Sequence, residues 1–252
     1  MADEGFVRTD GHGGIATITF HHPKSNSLPG HILRDLAEAV TACGEDDAVR
    51  VVVLRSEGEK AFCAGASFEE LVAIDNEARG KEFFMGFARM ILAMKRCPKF
   101  VLCRVHGKAV GGGVGMVAAS DYSFALKNAS LKLSELAVGI GPFVVGPAVA
   151  RRVGMGGFSA LSIDADWRDA AWAERHGLYS RVFEDIGSLD AALDRLANTL
   201  VHSNPEAMAR LKQVFWEGTE EWDRLLAERA ADSGALVLSD FTANAIAAFS
   251  KR

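Results

Sequence analysis

Two glycine-rich stretches constrain this chain more than any other feature: Ala61-Phe62-Cys63-Ala64-Gly65-Ala66-Ser67 and Gly107-Lys108-Ala109-Val110-Gly111-Gly112-Gly113-Val114-Gly115. Each follows a β-branched run that reads as a buried strand, Val49 to Leu54 before the first and Phe100 to Val105 before the second. Small residues let the backbone come close to another group, and an N–H with no side chain in front of it is an available donor. Two such donors converging on one point make an oxyanion hole. Glu135 follows the second stretch in Leu131-Lys132-Leu133-Ser134-Glu135-Leu136, which suggests a proton-transfer group beside a polarised carbonyl.

The 252 residues, 49% hydrophobic and 24% charged, suffice for a sizeable core, and one domain with an appended helical piece is expected. A net charge of −5 argues against nucleic-acid binding. The acidic start Met1-Ala2-Asp3-Glu4-Gly5 lacks a signal-peptide core, and no apolar run reaches the roughly 18 residues of a membrane span. A cytoplasmic protein without membrane contact is therefore expected. Cys43, Cys63, Cys97 and Cys103 form neither a C-x-x-C pair nor a zinc-finger spacing, so free thiols and no metal are expected. Cys63, inside the first stretch, is either a nucleophile or a small hydrophobe packed beside the loop.

Along the chain, Phe6 to Thr9 and Ile15 to Phe20 read as a hairpin across Gly11-His12-Gly13-Gly14. Pro29 and Gly44 bracket a helix carrying Ile32, Leu33, Leu36 and Val40. Lys81 to Arg96 is amphipathic and ends at Pro98. The second stretch opens a helix through Ser120, and Asp121 to Leu126 returns as a strand. From Leu189 onward the spacing is helical, so the whole reads as α/β with a helical tail.

At these residues the chain resembles the crotonase family, the enoyl-CoA hydratase/isomerase proteins. The first stretch is similar to that family's A-F-x-A-G-A-D segment. The second, with Val105-His106, is similar to V-x-G-x-A-x-G-G-G, and Ser134 to Pro142 to P-E-x-x-x-G-x-x-P. Ala170 to Val182 resembles A-x-x-A-x-x-x-G-L-V-x-x-V. The resemblance implies an α/β fold, a crotonase-like spiral of ββα units with a C-terminal helical region. Residues 1–190 would form the core with the CoA thioester site, and residues 191–252 a helical trimerisation and lid region. It also implies an acyl-CoA thioester substrate, no cofactor beyond the coenzyme A that substrate carries, and a homotrimer or hexamer in which helices such as Trp222 to Val237 pack between subunits.

By motif position, the N–H groups of Ala66 and Gly112 would form the oxyanion hole and Glu135 would be the acid/base. Pro23-Lys24-Ser25-Asn26-Ser27-Leu28 resembles R-P-x-x-x-N-A-L, placing Lys24, Ser25 and Ser27 with Ala64, Gly65 and Phe68 along the CoA groove. Phe249, with Lys251 or Arg252, resembles an aromatic-basic pair that contacts CoA in relatives.

The departures matter equally. Hydratases of this family carry a second Glu where this chain has Gly115, and Ser67 replaces the usual Asp of the first motif. One carboxylate suffices to carry a proton from C2 to C4, so double-bond isomerisation or a related proton transfer on an enoyl-CoA is expected. Alternatives are hydration with a second acid drawn from Glu69, Glu70 or Asp121, acyl-CoA hydrolysis or decarboxylation, and non-catalytic acyl-CoA binding. His106 reads as catalytic or structural. Gly113-Val114-Gly115-Met116-Val117-Ala118 also fits G-x-G-x-x-A, but Gly107 to Gly112 separates it from the strand that a dinucleotide fingerprint should follow.

Overall fold

The computed structural model describes residues 4–249. The side chain of Phe249 and residues 250–252 lie outside the described residues, and with them the aromatic-basic pair assigned to CoA. The chain opens with a hairpin, β1 (Phe6–His12) and β2 (Ile15–His21), whose register pairs His12 with Ile15. The turn is therefore Gly13-Gly14 alone, both at positive φ, and the strands run further into the expected loop.

From β2 onward the chain repeats one pattern. A long strand enters one sheet, a short strand enters another, and a helix returns. β2 is followed by β3 (Ser27–Leu28) and α1 (Gly30–Glu45); β4 (Val51–Ser56) by β5 (Ala61–Cys63), β6 (Gly65–Ala66), α2 (Phe68–Val72) and α3 (Glu77–Arg96). β7 (Phe100–Val105) is followed by β8 (Lys108–Val110) and α4 (Gly112–Ala119). β9 (Tyr122–Leu126) is followed by β10 (Ser130–Lys132), a 3₁₀ turn (Glu135–Val138) and α5 (Gly146–Asp164). β11 (Arg168–Asp169), α6 (Ala170–Arg175) and β12 (Arg181–Phe183) complete the sheets. The long strands form a six-stranded sheet in the order β1-β2-β4-β7-β9-β12, and the short ones a four-stranded sheet, β11-β10-β8-β5. β3 pairs with β6 alone. This is the ββα spiral.

Strand period places alternate residues on opposite faces. Val51, Val53, Phe100 and Leu102 meet Leu189, Leu193 and Ala197 of α7 (Ile186–Val201) and Met208 of α8 (Pro205–Phe215). Val52, Leu54, Val101 and Cys103 face the main core with α1, α3 and α4. α7 runs unbroken past residue 190. α9 (Trp222–Leu236) lies against α3 of its own chain, where Gly80 and Gly234 approach backbone to backbone. A third apolar cluster joins Val237, which caps the end of α9, and Ile246 of α10 (Asp240–Phe249) to Phe68, Phe84, Val138 and Ile140. No described helix is long and apolar enough to cross a membrane.

Candidate active site

The two glycine-rich stretches pack together. Cys63 pairs with Ala109 across β5 and β8, and a β-carbon on Gly65 would lie 3.3 Å from the Val110 carbonyl oxygen. Asn26 ties the first stretch down. Its side-chain amide donates to the carbonyls of Glu57 (2.8 Å) and Ala61 (3.0 Å), and its main-chain carbonyl accepts the Ala64 N–H at 3.1 Å. Ser27 Oγ donates to the Ala66 carbonyl at 2.8 Å, and β3 holds β6 in parallel register. Ser25 and Asn26 both sit at φ 56°, a left-handed pair that folds the segment back on itself.

Gly112 is the first residue of α4. The Gly111 carbonyl accepts from Val114 (3.0 Å) and Gly115 (3.2 Å), so the N–H groups of Gly112 and Gly113 precede the first intrahelical bond, at the positive end of the helix dipole. Gly111 has φ 52°, and a β-carbon there would lie 2.9 Å from Glu135 Oε1. The missing side chain thus admits the carboxyl beside the start of α4. Glu135 Oε2 is buried and has no hydrogen-bond partner among the described residues. Burial pushes the carboxyl from its ordinary 4.5 up to about 7, while the backbone N–H groups of Glu135 and Ser134 pull weakly the other way. A carboxyl poised at that value exchanges protons readily near neutral pH.

The other acids are engaged elsewhere. Glu69 forms an exposed ion pair with Lys24, and Glu70 Oε2 accepts the Gly30 N–H (2.8 Å) at the start of α1. Asp121 Oδ2 accepts from Val101 N–H (2.7 Å) and Lys212 Nζ (2.8 Å), a buried structural pair. Ser67 caps α2 by accepting the Glu70 N–H at 3.3 Å. Cys63 is fully buried and its thiol is pushed up to about 12, so it packs as a hydrophobe and is no nucleophile. His106 is buried, and burial with the nearby Arg104 charge holds its imidazole below the ordinary range.

Phe87, Val145 and Ile91, none of them a candidate site residue by motif, line α4. The Phe87 ring stands where a β-carbon on Gly112 would be, within 2.2 to 2.4 Å. Val145 Cγ1 lies 2.5 Å from the position of a β-carbon on Gly115, with Ile91 Cδ1 at 3.5 Å. The space at position 115 is filled by hydrocarbon. Phe87 shows in the sequence only as part of the apolar face of α3, and Val145 as part of an apolar run. Phe68 is half-buried in the third cluster beside Val138 and Ile140. Among the described residues no three His, Cys, Asp or Glu side chains are grouped to hold a metal ion.

The family model for Enoyl-CoA hydratase/isomerase matches residues 10–245. The chain belongs to the enoyl-CoA hydratase/isomerase family. This family member is 29% identical over 240 residues to the short-chain-enoyl-CoA hydratase of Clostridium acetobutylicum, covering 94% of this chain and 91% of that protein. It is 31% identical over 234 residues to the carnitinyl-CoA dehydratase of Citrobacter koseri, covering 89% and 85%. Among solved structures, an enoyl-CoA hydratase from Mycobacterium avium superposes with a TM-score of 0.87 at 27% identity, covering 97% of this chain and 96% of that one. An enoyl-CoA hydratase from Bacillus halodurans shares the fold with a TM-score of 0.89 at 22% identity, covering 96% and 99%. The crotonase-like fold read from the four motifs is the fold of this enoyl-CoA hydratase/isomerase family member.

Proposed function

We propose that this protein moves a proton within an enoyl-CoA thioester, shifting the double bond, with Glu135 as the only acid/base. The observation that carries this reading is the buried Glu135 carboxyl, raised to about 7 beside the start of α4, facing a helix whose position 115 is closed by Val145. The thioester oxygen sits between the N–H groups of Ala66 and Gly112. The Glu135 carboxylate takes a proton from C2, the negative charge passes to that oxygen, and the same carboxyl returns the proton to C4. The oxyanion donors favour the enolate over the neutral carbonyl, and losing one typically raises a barrier by about 2.7–4 kcal/mol. Lys24 releases Glu69 to meet a phosphate, and Ser25, Ser27, Ala64, Gly65 and Phe68 border the CoA groove. The working form is a trimer or hexamer in the cytoplasm.

Hydration is the second reading, and the names of the relatives from Clostridium acetobutylicum and Citrobacter koseri favour it. Incubation with 2-enoyl-, 3-enoyl- and 3-hydroxyacyl-CoA thioesters, with products identified by mass and retention time, separates the two. Interconversion of the enoyl isomers without gain of water is expected. Rapid formation of 3-hydroxyacyl-CoA from 2-enoyl-CoA would overturn the single-acid reading.

A further inference from the structure

Both polar atoms of the Asn26 side chain are hydrogen-bonded inward. The residue is 2% exposed and sits at φ 56°, a left-handed conformation that asparagine tolerates better than most residues. Its Oδ1 accepts the His22 N–H at 2.7 Å. An amide has two N–H donors, and here they go to the Glu57 and Ala61 carbonyls. Glu57 and Ala61 stand at the two ends of the loop between β4 and β5. One amide therefore closes that loop and fixes where the first glycine-rich stretch begins.

The consecutive residues Asn26, Ser27 and Leu28 then hold the same stretch along its length. The Asn26 main-chain carbonyl accepts the Ala64 N–H (3.1 Å) and the Leu28 carbonyl accepts the Ser67 N–H (2.8 Å). Ser27 Oγ donates to the Ala66 carbonyl at 2.8 Å. The Ala66 N–H lies between these fixed points. The stretch also meets the second one, with Cys63 paired to Ala109 and Gly65 close to the Val110 carbonyl. A slip of the first stretch along β3 would therefore move the Ala66 N–H relative to Gly112. A misplacement of about 1 Å can cost about 10²-fold in rate.

We propose that Asn26 is a positioning residue that sets the Ala66 N–H against the Gly112 N–H, a role that rests on the oxyanion hole proposed above. Its amide acts through Ala61 and Ala64 and touches no reacting atom.

The carbonyl of a bound thioester reports this role, because a carbonyl held by two donors stretches at lower frequency than a free one. Infrared difference spectra are recorded with the intact protein and saturating butyryl-CoA carrying ¹³C at C1, a saturated thioester with no double bond to move. Asn26→Gly keeps the left-handed backbone and removes the amide. Asn26→Asp keeps the shape and turns an acceptor toward the two carbonyls, and it serves if circular dichroism shows Asn26→Gly unfolded. Asp121→Asn loosens a buried structural pair beyond the far end of α4 and is the control. The expected result is a carbonyl band that moves to lower frequency on binding to the wild type. That shift should be at least halved in the Asn26 variants and kept in Asp121→Asn, with enoyl-CoA turnover at saturation lowered about 10²-fold in the Asn26 variants. No shift in the wild type would overturn the oxyanion hole and this role with it. A shift that keeps more than half its size in a folded Asn26 variant, or an equal loss in Asp121→Asn, would overturn the role alone.

Discussion

Glu135 joins two consequences of one burial. Its proton is held up to about 7, so the folded protein keeps a proton between pH 4.5 and 7 that the unfolded chain has released. Stability therefore falls as pH rises across that window, and above it the folded state bears a buried carboxylate at a cost of about 3 kcal/mol. Glu135→Gln keeps the shape and removes the charge. It should match the wild type in chemical denaturation near pH 4.5 and exceed it by about 3 kcal/mol at pH 8. The same substitution should lower turnover by about 10²–10⁴ while acyl-CoA binding measured by calorimetry stays largely intact. Wild-type kcat/KM should rise with pH to a plateau above about 7, because in the proposed reaction the carboxylate form takes the proton. Asp121 offers a contrasting case, since it meets Lys212 where both are buried. Asp121→Asn leaves that ammonium without its counter-charge and should cost about 3–5 kcal/mol in denaturation. Glu135 and the two glycine stretches stood out in the sequence as candidates because acids and glycines have few uses in such a setting, and the structure brings them together. Asn26 stood out less, because its hydrogen bonds to Glu57 and Ala61 join segments distant in sequence.

At the scale of elements, α4 carries the proposed reaction's selectivity. The N–H groups of Gly112 and Gly113 in its first turn precede the first intrahelical bond, while Phe87, Ile91 and Val145 press hydrocarbon against its glycines. Gly115→Glu alone should therefore give no hydratase activity and should lower stability by about 1–3 kcal/mol, as overpacking does. Gly115→Glu with Val145→Gly clears the overlap with Val145 and is the variant in which conversion of 2-enoyl-CoA to 3-hydroxyacyl-CoA should be sought by mass. Long elements followed from periodicity: β7 spans Phe100–Val105 as expected, and α1 lies between Pro29 and Glu45. The short ones did not. β8 covers only three residues and β3 and β6 two each, lengths at which alternation carries no signal, and their strand form comes from pairing with distant partners. α3 begins at Glu77, a turn before Lys81, because Asn76 accepts the Arg79 N–H and starts the helix ahead of its apolar face.

For the whole molecule, the outer surface bears on assembly. α9 packs its buried face on α3 of the same chain, so the proposed trimer or hexamer would draw on other residues as well. Leu211, Val214 and Phe215 project from one side of α8 at helical spacing, and Met155, Ile163 and Phe241 are also exposed. Apolar side chains so placed gain by leaving water, and a stripe on a helix otherwise packed against a sheet suits contact with another copy. The periodicity of α8 gave no hint of this, because a helix with apolar residues on two sides reads as a core element until its neighbours are known. Light scattering should return three or six times the 27.0 kDa chain mass at micromolar protein. Val214→Lys adds a charge to a side chain that is 55% exposed, so the single-chain fold should tolerate it while the assembly loosens. The variant should keep its helical circular dichroism and show a lower mass that recovers at higher protein concentration. A stable 27 kDa monomer in the wild type would refute the oligomer, and an unchanged mass in Val214→Lys would move the contact away from α8.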